Sequence, residues 1–516
     1  ALVAGACGGD DGGGEATGQT VDRGVAEGVG AALGGPSTTA GGTATTELPD
    51  SMEAWEALAD AERAAIVQMI RDNGWGKSAD GTTVTGPEGF TIDLTACPPG
   101  WSDTEGLTES EIKIGHTAPL SGTAADFGNG GRALEAVLGY YSDQGVFTDA
   151  ATGTTRRINL ILKDDAYDSA RTIPLVDELI DSEKVFAMTT TGSPTTLKVY
   201  DKLNERCIAH PLGGITGHPA WADPVNHPWT TGLQMAYSTE AVLWGAFIEQ
   251  RIDEFPGEKI KIASLVTSND YGQAYDTSFR AYLDQSVHND RFEYVSESIE
   301  ITAPTVTDPM TTLAAGEPDV FILMGGASQC TQVVHEVAQN GMRDRAQFLI
   351  TNQNCKGFMT RDKVGGDGEV ASGWWIMGGG VRDINSPAED GNPYVQWARD
   401  VLTSAGIDHR TSSNFSLGIE YAFPLVQGLR IAGELDGGLT RTNLMVALRA
   451  MEMTHPMLLP GIQFNLRGNA DAYFIEGSDI SQYDAAGQEW VPTGGVIDLS
   501  GKSKNCAFDQ STQTCN

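Results

Sequence analysis

From residue 111 onward the chain alternates two hydrophobic patterns. Short unbroken apolar runs, bounded by turn residues, stand at 112–118, 158–163, 185–189 and 207–210. Between them, near 129–143, 170–183 and 194–205, apolar residues recur every three or four positions. The first pattern predicts buried strands and the second predicts amphipathic helices. Their alternation predicts a mostly parallel sheet with helices on both faces. The plan then repeats, with helix 237–252, strand 260–266, helix 273–286, strands 292–301 and 319–324, helix 328–340 and strand 347–351. After 370 come a strand at 373–377, helices near 393–405, 414–434 and 440–451, and a strand-rich tail from 462. That tail is too short for a third core. It is expected to complete the first two, so the chain crosses between two α/β lobes several times.

The first hundred residues follow another pattern. In "PDSMEAWEALADAERAAIVQMIRDNGWG", Trp55, Leu58, Ile66, Met69 and Ile70 share one helical stripe that stops at Gly74. This reads as a packing appendage. Residues 75–108 read as an irregular lead-in pinned by Cys97, so 49–108 form one unit. Residues 8–48 are Gly, Thr, Ala and acids and are expected to be disordered. As a flexible coil, their ~41 residues would span roughly 35 Å.

At 516 residues the chain is long enough for two lobes plus these extras. No run approaches the ~20 apolar residues of a membrane span. The net charge is −36, from 33 Lys plus Arg against 69 Asp plus Glu. Such a surface repels nucleic acid, which is not expected as a partner. Cys7 lies in "LVAGACGGDDGGGE", small residues followed by a Gly/Asp tether. The stretch resembles the end of a bacterial lipobox, with Ala4 where Leu is usual, and predicts lipidation of Cys7. Residues 1–48 then form a lipobox end and tether, with this lipid the only membrane attachment. Six cysteines remain, an even number suited to disulfides outside the cytoplasm. Cys506 and Cys515 can close a small loop in the 501–516 tail, Cys330 and Cys355 each lie just past an apolar strand, and Cys97 and Cys207 then pair by exclusion.

Motifs of catalysis are weak. "GWGKS" (Gly74–Ser78) has the tail of a phosphate loop, but Arg71 stands where its first Gly belongs. Gly128, Gly130 and Ala133 are spaced like a dinucleotide fingerprint, yet lie about ten residues past the strand, too far for that turn. His335-Glu336 lacks a second zinc-ligating His. His210, His218 and His227 are interleaved with prolines and read as loop residues. Asp164, Asp165 and Asp168 sit between strand and helix, where carboxylates cap first-turn amides. No nucleophile has a base in reach. Neither a metal, a cofactor nor catalysis is expected. What recurs is a polar loop after each strand: "MTTTGSPTT", "HPLGGIT", "TSNDYGQAY", "MGGASQC" and "TNQNC". Hydroxyls, amides and glycine backbone there can hold a small molecule beyond the carboxyl ends of the strands.

"IKIGHTAPLSGTAADFGNGGRALEAV", "LILKDDAYDSARTIPLVDELI", "SNDYGQAY" with "PDVFILMGG" downstream, and "EYAFPLVQGL" together resemble the type I periplasmic binding proteins. Among these the leucine/isoleucine/valine-binding proteins of ABC importers are most similar. The resemblance spans about 110–490. It implies two doubly wound parallel-sheet lobes joined by a three-segment hinge, with crossings near 230–236, 372–380 and 456–464. Lobe 1 would comprise 109–233 and 378–456, and lobe 2 would comprise 234–377 and 457–500. Ser193 matches the family's carboxylate-binding loop Ser, and Gly213, Gly214 or Thr216 the loop after the next strand. Phe127 and Tyr271 match aromatic walls, and Ala327 falls in the loop after strand 319–324. Amino-acid binders of the family carry an acid after the strand at 347–351, to pair the ammonium. Here Asn352 and Gln353 stand there, which points to an organic acid, amide or aromatic ligand rather than free leucine. Glu420, on the helix after Phe415, is the one acid placed to pair an amino-acid-like ligand if it faces the cleft. The resemblance implies an extracytoplasmic, monomeric lipoprotein of the bacterial cell envelope that serves ABC permease subunits. A sensor of the same fold and a cleft amidase are the rival readings.

Overall fold

The computed structural model describes residues 21–34 and 48–515. Cys7 and residues 8–20 and 35–47 lie outside the described residues. Within the 1–48 segment, Arg23–Gly34 corrects the expectation of a disordered tether by forming helix α1. Val25 and Val29, one turn apart, are buried in the core where α1 packs on the helix of 237–249. Gly24 and Gly28 let it approach the C-terminal tail, since a Cβ on Gly28 would lie 2.8 Å from Leu499 Cδ2. Burial overrides the poor helix propensity of this Gly-rich stretch.

Helix α2 (Met52–Asp72) is capped by Ser51, whose Oγ accepts from Ala54 N at 3.2 Å. Trp55, Ile66 and Ile70 of the predicted stripe are buried, and Leu58 and Met69 half-buried. A small antiparallel sheet follows, of β1 (Gly76–Lys77), β2 (Thr83–Thr85) and β3 (Thr91–Asp93).

The first lobe holds β4 (Glu111–Ala118), α3 (Gly128–Asp143), β5 (Phe147–Asp149), β6 (Thr154–Asp164), α4 (Ser169–Asp177), β7 (Ala187–Thr190), α5 (Ser193–Thr196) and α6 (Tyr200–Glu205). Its sheet order is β5-β6-β4-β7, with β6, β4 and β7 parallel. Two expectations change here. The helix at 194–205 is split, because Val199 leaves helical geometry at φ −127°. The strand at 207–210 shrinks to single bridges, Ala187 with Ala209 and His210 with Thr230. Cys207 and Leu212 on either side take φ of 51° and 61°, left-handed values that cut the extended run short.

The second lobe holds α7 (Tyr237–Glu249), β8 (Ile260–Thr267), α8 (Asp270–Gln285), β9 (Phe292–Ile299), α9 (Thr307–Ala315), β10 (Val320–Met324), α10 (Ser328–Gln339), β11 (Phe348–Thr351), α11 (Arg361–Val364) and β12 (Trp375–Met377). The chain then returns to the first lobe with α12 (Pro393–Ser404), α13 (Phe415–Glu434) and α14 (Arg441–Arg449). There α13 packs on α3 so closely that a Cβ on Gly418 would lie 2.1 Å from the Gly130 carbonyl. Finally β13 (Ile480–Asp484) and β14 (Glu489–Pro492) complete the second sheet, in the order β14-β13-β12-β11-β10-β8-β9. Strands β9, β8, β10, β11 and β12 are mutually parallel, while β13 and β14 run antiparallel. The tail ends in a hairpin of β15 (Phe508–Asp509) and β16 (Thr514–Cys515).

Between the lobes, Val381 bridges Leu458 antiparallel and Leu459 N donates to the Gly380 carbonyl at 2.8 Å. Gly380 N donates to Asp479 Oδ1 at 3.0 Å, and Gly379 and Gly380 both take a φ of 66°. The disulfides join Cys97 to Cys207, Cys330 to Cys355 and Cys506 to Cys515. Among the described residues no helix is long and apolar enough to cross a membrane.

Candidate functional site

In both sheets the parallel strands deliver their carboxyl ends to loops of small polar residues, the placement that favours ligand binding between lobes. From the first lobe, Ser193 opens α5 just past β7 and is fully buried. Its hydroxyl donates to Thr216 Oγ1 at 3.3 Å, which also accepts from Trp221 Nε1 at 3.0 Å. Gly214 fits because it has no side chain: its φ is 81°, and a Cβ would lie 2.8 Å from Thr196 Oγ1. The Tyr237 hydroxyl faces Ser193 and Thr216, and burial pushes it up to about 12. Ser193, Gly214 and Thr216 thus come together, with Tyr237 as a fourth member the sequence did not single out.

From the second lobe, Tyr271 OH lies 2.9 Å from the Gly325 carbonyl and 2.8 Å from Asn352 Oδ1. Asn352 is spent on the fold. Its Nδ2 donates to the Leu323 and Gly325 carbonyls at 3.0 and 2.7 Å, and its Oδ1 caps Asn354 N. It organises the loops after β10 and β11. Ala327 is buried at the start of α10 with a φ of 54°. Phe127 reaches across from the first lobe, its Cζ 3.2 Å from where a Gly326 Cβ would stand. It also stacks on Tyr167, with ring centroids 6.2 Å apart. Gln353 turns toward the hinge, and its Nε2 donates to the Met235 carbonyl at 3.0 Å.

Two carboxylates flank this region. Glu240, on α7, accepts from Tyr275 OH at 2.6 Å and Gln353 N at 2.7 Å, and burial pushes it up to about 8 despite these donors. A lone acid in the otherwise apolar run "AVLWGAFI" and its lead-in is the signal that would have found it. Glu420, on α13, is fully buried, and neither carboxylate oxygen has a hydrogen-bond partner. Burial pushes it up to about 8, with Lys356 pulling the other way. It lines a cavity at the junction of both lobes with Gln234, Gln353, Lys356, Val381 and Leu417.

Of the aspartates of "KDDAYD", only Asp168 caps the helix as expected, while Asp164 and Asp165 hold the loops around it. Asp164 accepts from Leu120 N and Ser121 Oγ, and Asp168 caps Ala170 N. The three histidines go separate ways. His210 bonds Thr190 and Thr230, His218 accepts from Ala220 N, and His227 pairs with Asp201 and Asp223. Among the described residues no cluster of three or more His, Cys, Asp or Glu is placed to hold a metal.

Solved structures share this architecture at low sequence identity. A branched-chain amino acid ABC transporter protein from Thermus thermophilus with bound valine is 16% identical, with a TM-score of 0.63 over 77% of this chain and 98% of that one. A fatty acid ABC transporter substrate-binding protein from Thermomonospora curvata is 17% identical, with a TM-score of 0.61 over 80% of this chain and 96% of that one. A solute-binding protein from Rhodopseudomonas palustris BisB5, in complex with 3,4-dihydroxybenzoic acid, is 16% identical, with a TM-score of 0.59 over 76% of this chain and 98% of that one. No curated relative matches the chain. The family model for periplasmic binding proteins matches residues 111–484, the span from β4 through β13, so the chain belongs to the type I periplasmic binding proteins.

Proposed function

We propose that this protein captures a small organic ligand between its lobes and delivers it to the permease of an ABC importer. It does so from outside the cytoplasm while tethered through lipid on Cys7. The observation that carries the reading is the pair of facing polar loop sets, Ser193, Gly214 and Thr216 against Tyr271 and Ala327, with Phe127 bridging them and Gln353 beside them at the hinge. The lobes are assigned as 109–233 with 378–456 and 234–377 with 457–500. Asn352 acts on the ligand through Tyr271, which it positions. The neighbours named above, one with bound valine and one with a dihydroxybenzoate, support a cleft that accommodates a small acid-bearing molecule. Hydroxyl and backbone donors at the start of α5 suit a carboxylate or carbonyl. The family is one of periplasmic binding proteins, which supports a binding role.

Native mass spectrometry of protein prepared without refolding tests the ligand reading: one bound small molecule per chain is expected. A chain that carries none, and whose thermal midpoint responds to no amino acid, organic acid or aromatic acid, contradicts it. For the anchor, Cys7→Ser is expected to move the protein from the membrane fraction of its host to the soluble fraction. Unchanged fractionation would rule the lipid out.

A further inference from the structure

The Glu420 cavity pairs complementary features that the contacts within the protein leave unused. Both Glu420 oxygens lack a partner, and so does the buried Oε1 of Gln234, which lines the same cavity. These are three oxygens, two of them on a carboxyl that burial holds protonated near neutral pH and that a bound cation would ionise, in a site formed by α13 of the first lobe, the loop after β11 of the second and two of the crossings. Lys356 is the cation on that wall, but its Nζ is held by the Val381 carbonyl at 2.6 Å. A buried carboxylate without a donor costs free energy that is recovered only when a partner arrives.

We infer that this cavity is the seat for a cationic nitrogen of the ligand, an ammonium or amidinium whose N–H groups donate to Glu420 and Gln234. The inference rests on the binding reading above and narrows its ligand class. The cavity measures about 40 Å³, room for a head group of a few atoms, while the ligand body lies outside it. The seat adjoins the first-lobe loops, because the Tyr421 hydroxyl, one residue on, faces the backbones of Thr216 and Gln234. A carboxylate or carbonyl held at Ser193 and a cation held at Glu420 would engage one ligand from two sides. The site differs from the loop after β11, where the sequence offers only amides. A metal ion fits less well, since Lys356 and Arg382 stand in the same wall and the second carboxylate there, Asp383, already accepts from Asn385 N at 2.9 Å. Other charges on the cavity are Arg382 and Asp383 of the second crossing, and His455 donates to the Glu420 backbone carbonyl at 3.0 Å.

The test is calorimetry on wild type and Glu420→Gln with a fixed panel. It holds the twenty free amino acids, putrescine, agmatine and glycine betaine, each primary amine beside its deaminated or hydroxyl analogue, together with sodium and calcium chloride. The molecule extracted from protein purified without unfolding is added as a further probe. We expect the tight binder to carry an N–H cation. Its affinity is expected to fall about 30-fold or more in Glu420→Gln, and by a similar factor in the analogue without the nitrogen. The unliganded thermal midpoint of Glu420→Gln should match or exceed wild type, which separates a lost contact from a lost fold. A tight binder with no cationic nitrogen, a metal ion alone, or equal affinity in wild type and Glu420→Gln overturns the seat and leaves the binding reading standing. Binding of no compound at all removes both.

Discussion

Arg441→Met is expected to cost about 3–5 kcal/mol of folding stability, the range for removing one partner from a buried, fully bonded charge. Arg441 opens α14 and is fully buried. Its Nε donates to the Phe186 carbonyl at 2.9 Å, its Nη2 to Val185 at 2.7 Å and its Nη1 to Ser102 at 3.1 Å, with Glu105 Oε2 3.6 Å away. One guanidinium thus ties the lead-in, the chain entering β7 and α14 together. Methionine matches much of the volume and none of the donors, so three carbonyls lose their partner. Chemical denaturation near neutral pH measures the effect. Arg410→Met is the control, because its ion pair with Asp408 is exposed and solvent screening leaves it little effect on stability. Equal loss in the two variants would contradict this role for Arg441.

The second large effect depends on pH. Burial raises the folded-state pKa of Glu420 to about 8, against the ordinary 4.5 of a glutamate. A carboxyl raised on folding contributes no penalty below about pH 4.5, where both states hold the proton. The penalty grows as the unfolded state ionises and the folded state does not, and it levels off above about pH 8. At about 1.4 kcal/mol per tenfold change in proton affinity, it approaches about 5 kcal/mol. Glu420→Gln, without ligand, should therefore match wild type near pH 4.5 and exceed it increasingly toward pH 8.5. Glu240, raised for the same reason, titrates in both proteins and cancels in the comparison. A difference that is constant between those pH values would show that Glu420 is solvated or paired in solution.

The parallel-sheet plan was legible because fully buried strands such as Val320–Met324 are written as unbroken apolar runs. The polar loops after them were legible as well, since turn chemistry there is local. What escaped the sequence depended on contacts far along the chain. The Gly-rich α1 reads as a coil until α7 and the tail are present to bury Val25 and Val29. Asn352 reads as a ligand contact by its position, yet its amide is consumed by carbonyls of β10 and the loop that follows. Tyr237 and Glu240 sit in a helix whose apolar density marks it only as core. Glu420 was visible as an acid, but its lack of a partner is a fact of three dimensions.

The proposed function requires a cleft that closes on a ligand. The two lobes are joined by paired crossings at Val381 and Leu458, and the glycines at 378–380 beside them are where the required change in backbone angle would fall. Small-angle X-ray scattering measures it most directly, on protein stripped of its bound molecule by partial unfolding and refolding, then titrated with that same extracted molecule. The radius of gyration is expected to fall on addition and to saturate at one molecule per chain. A profile that stays unchanged at saturating ligand would contradict it.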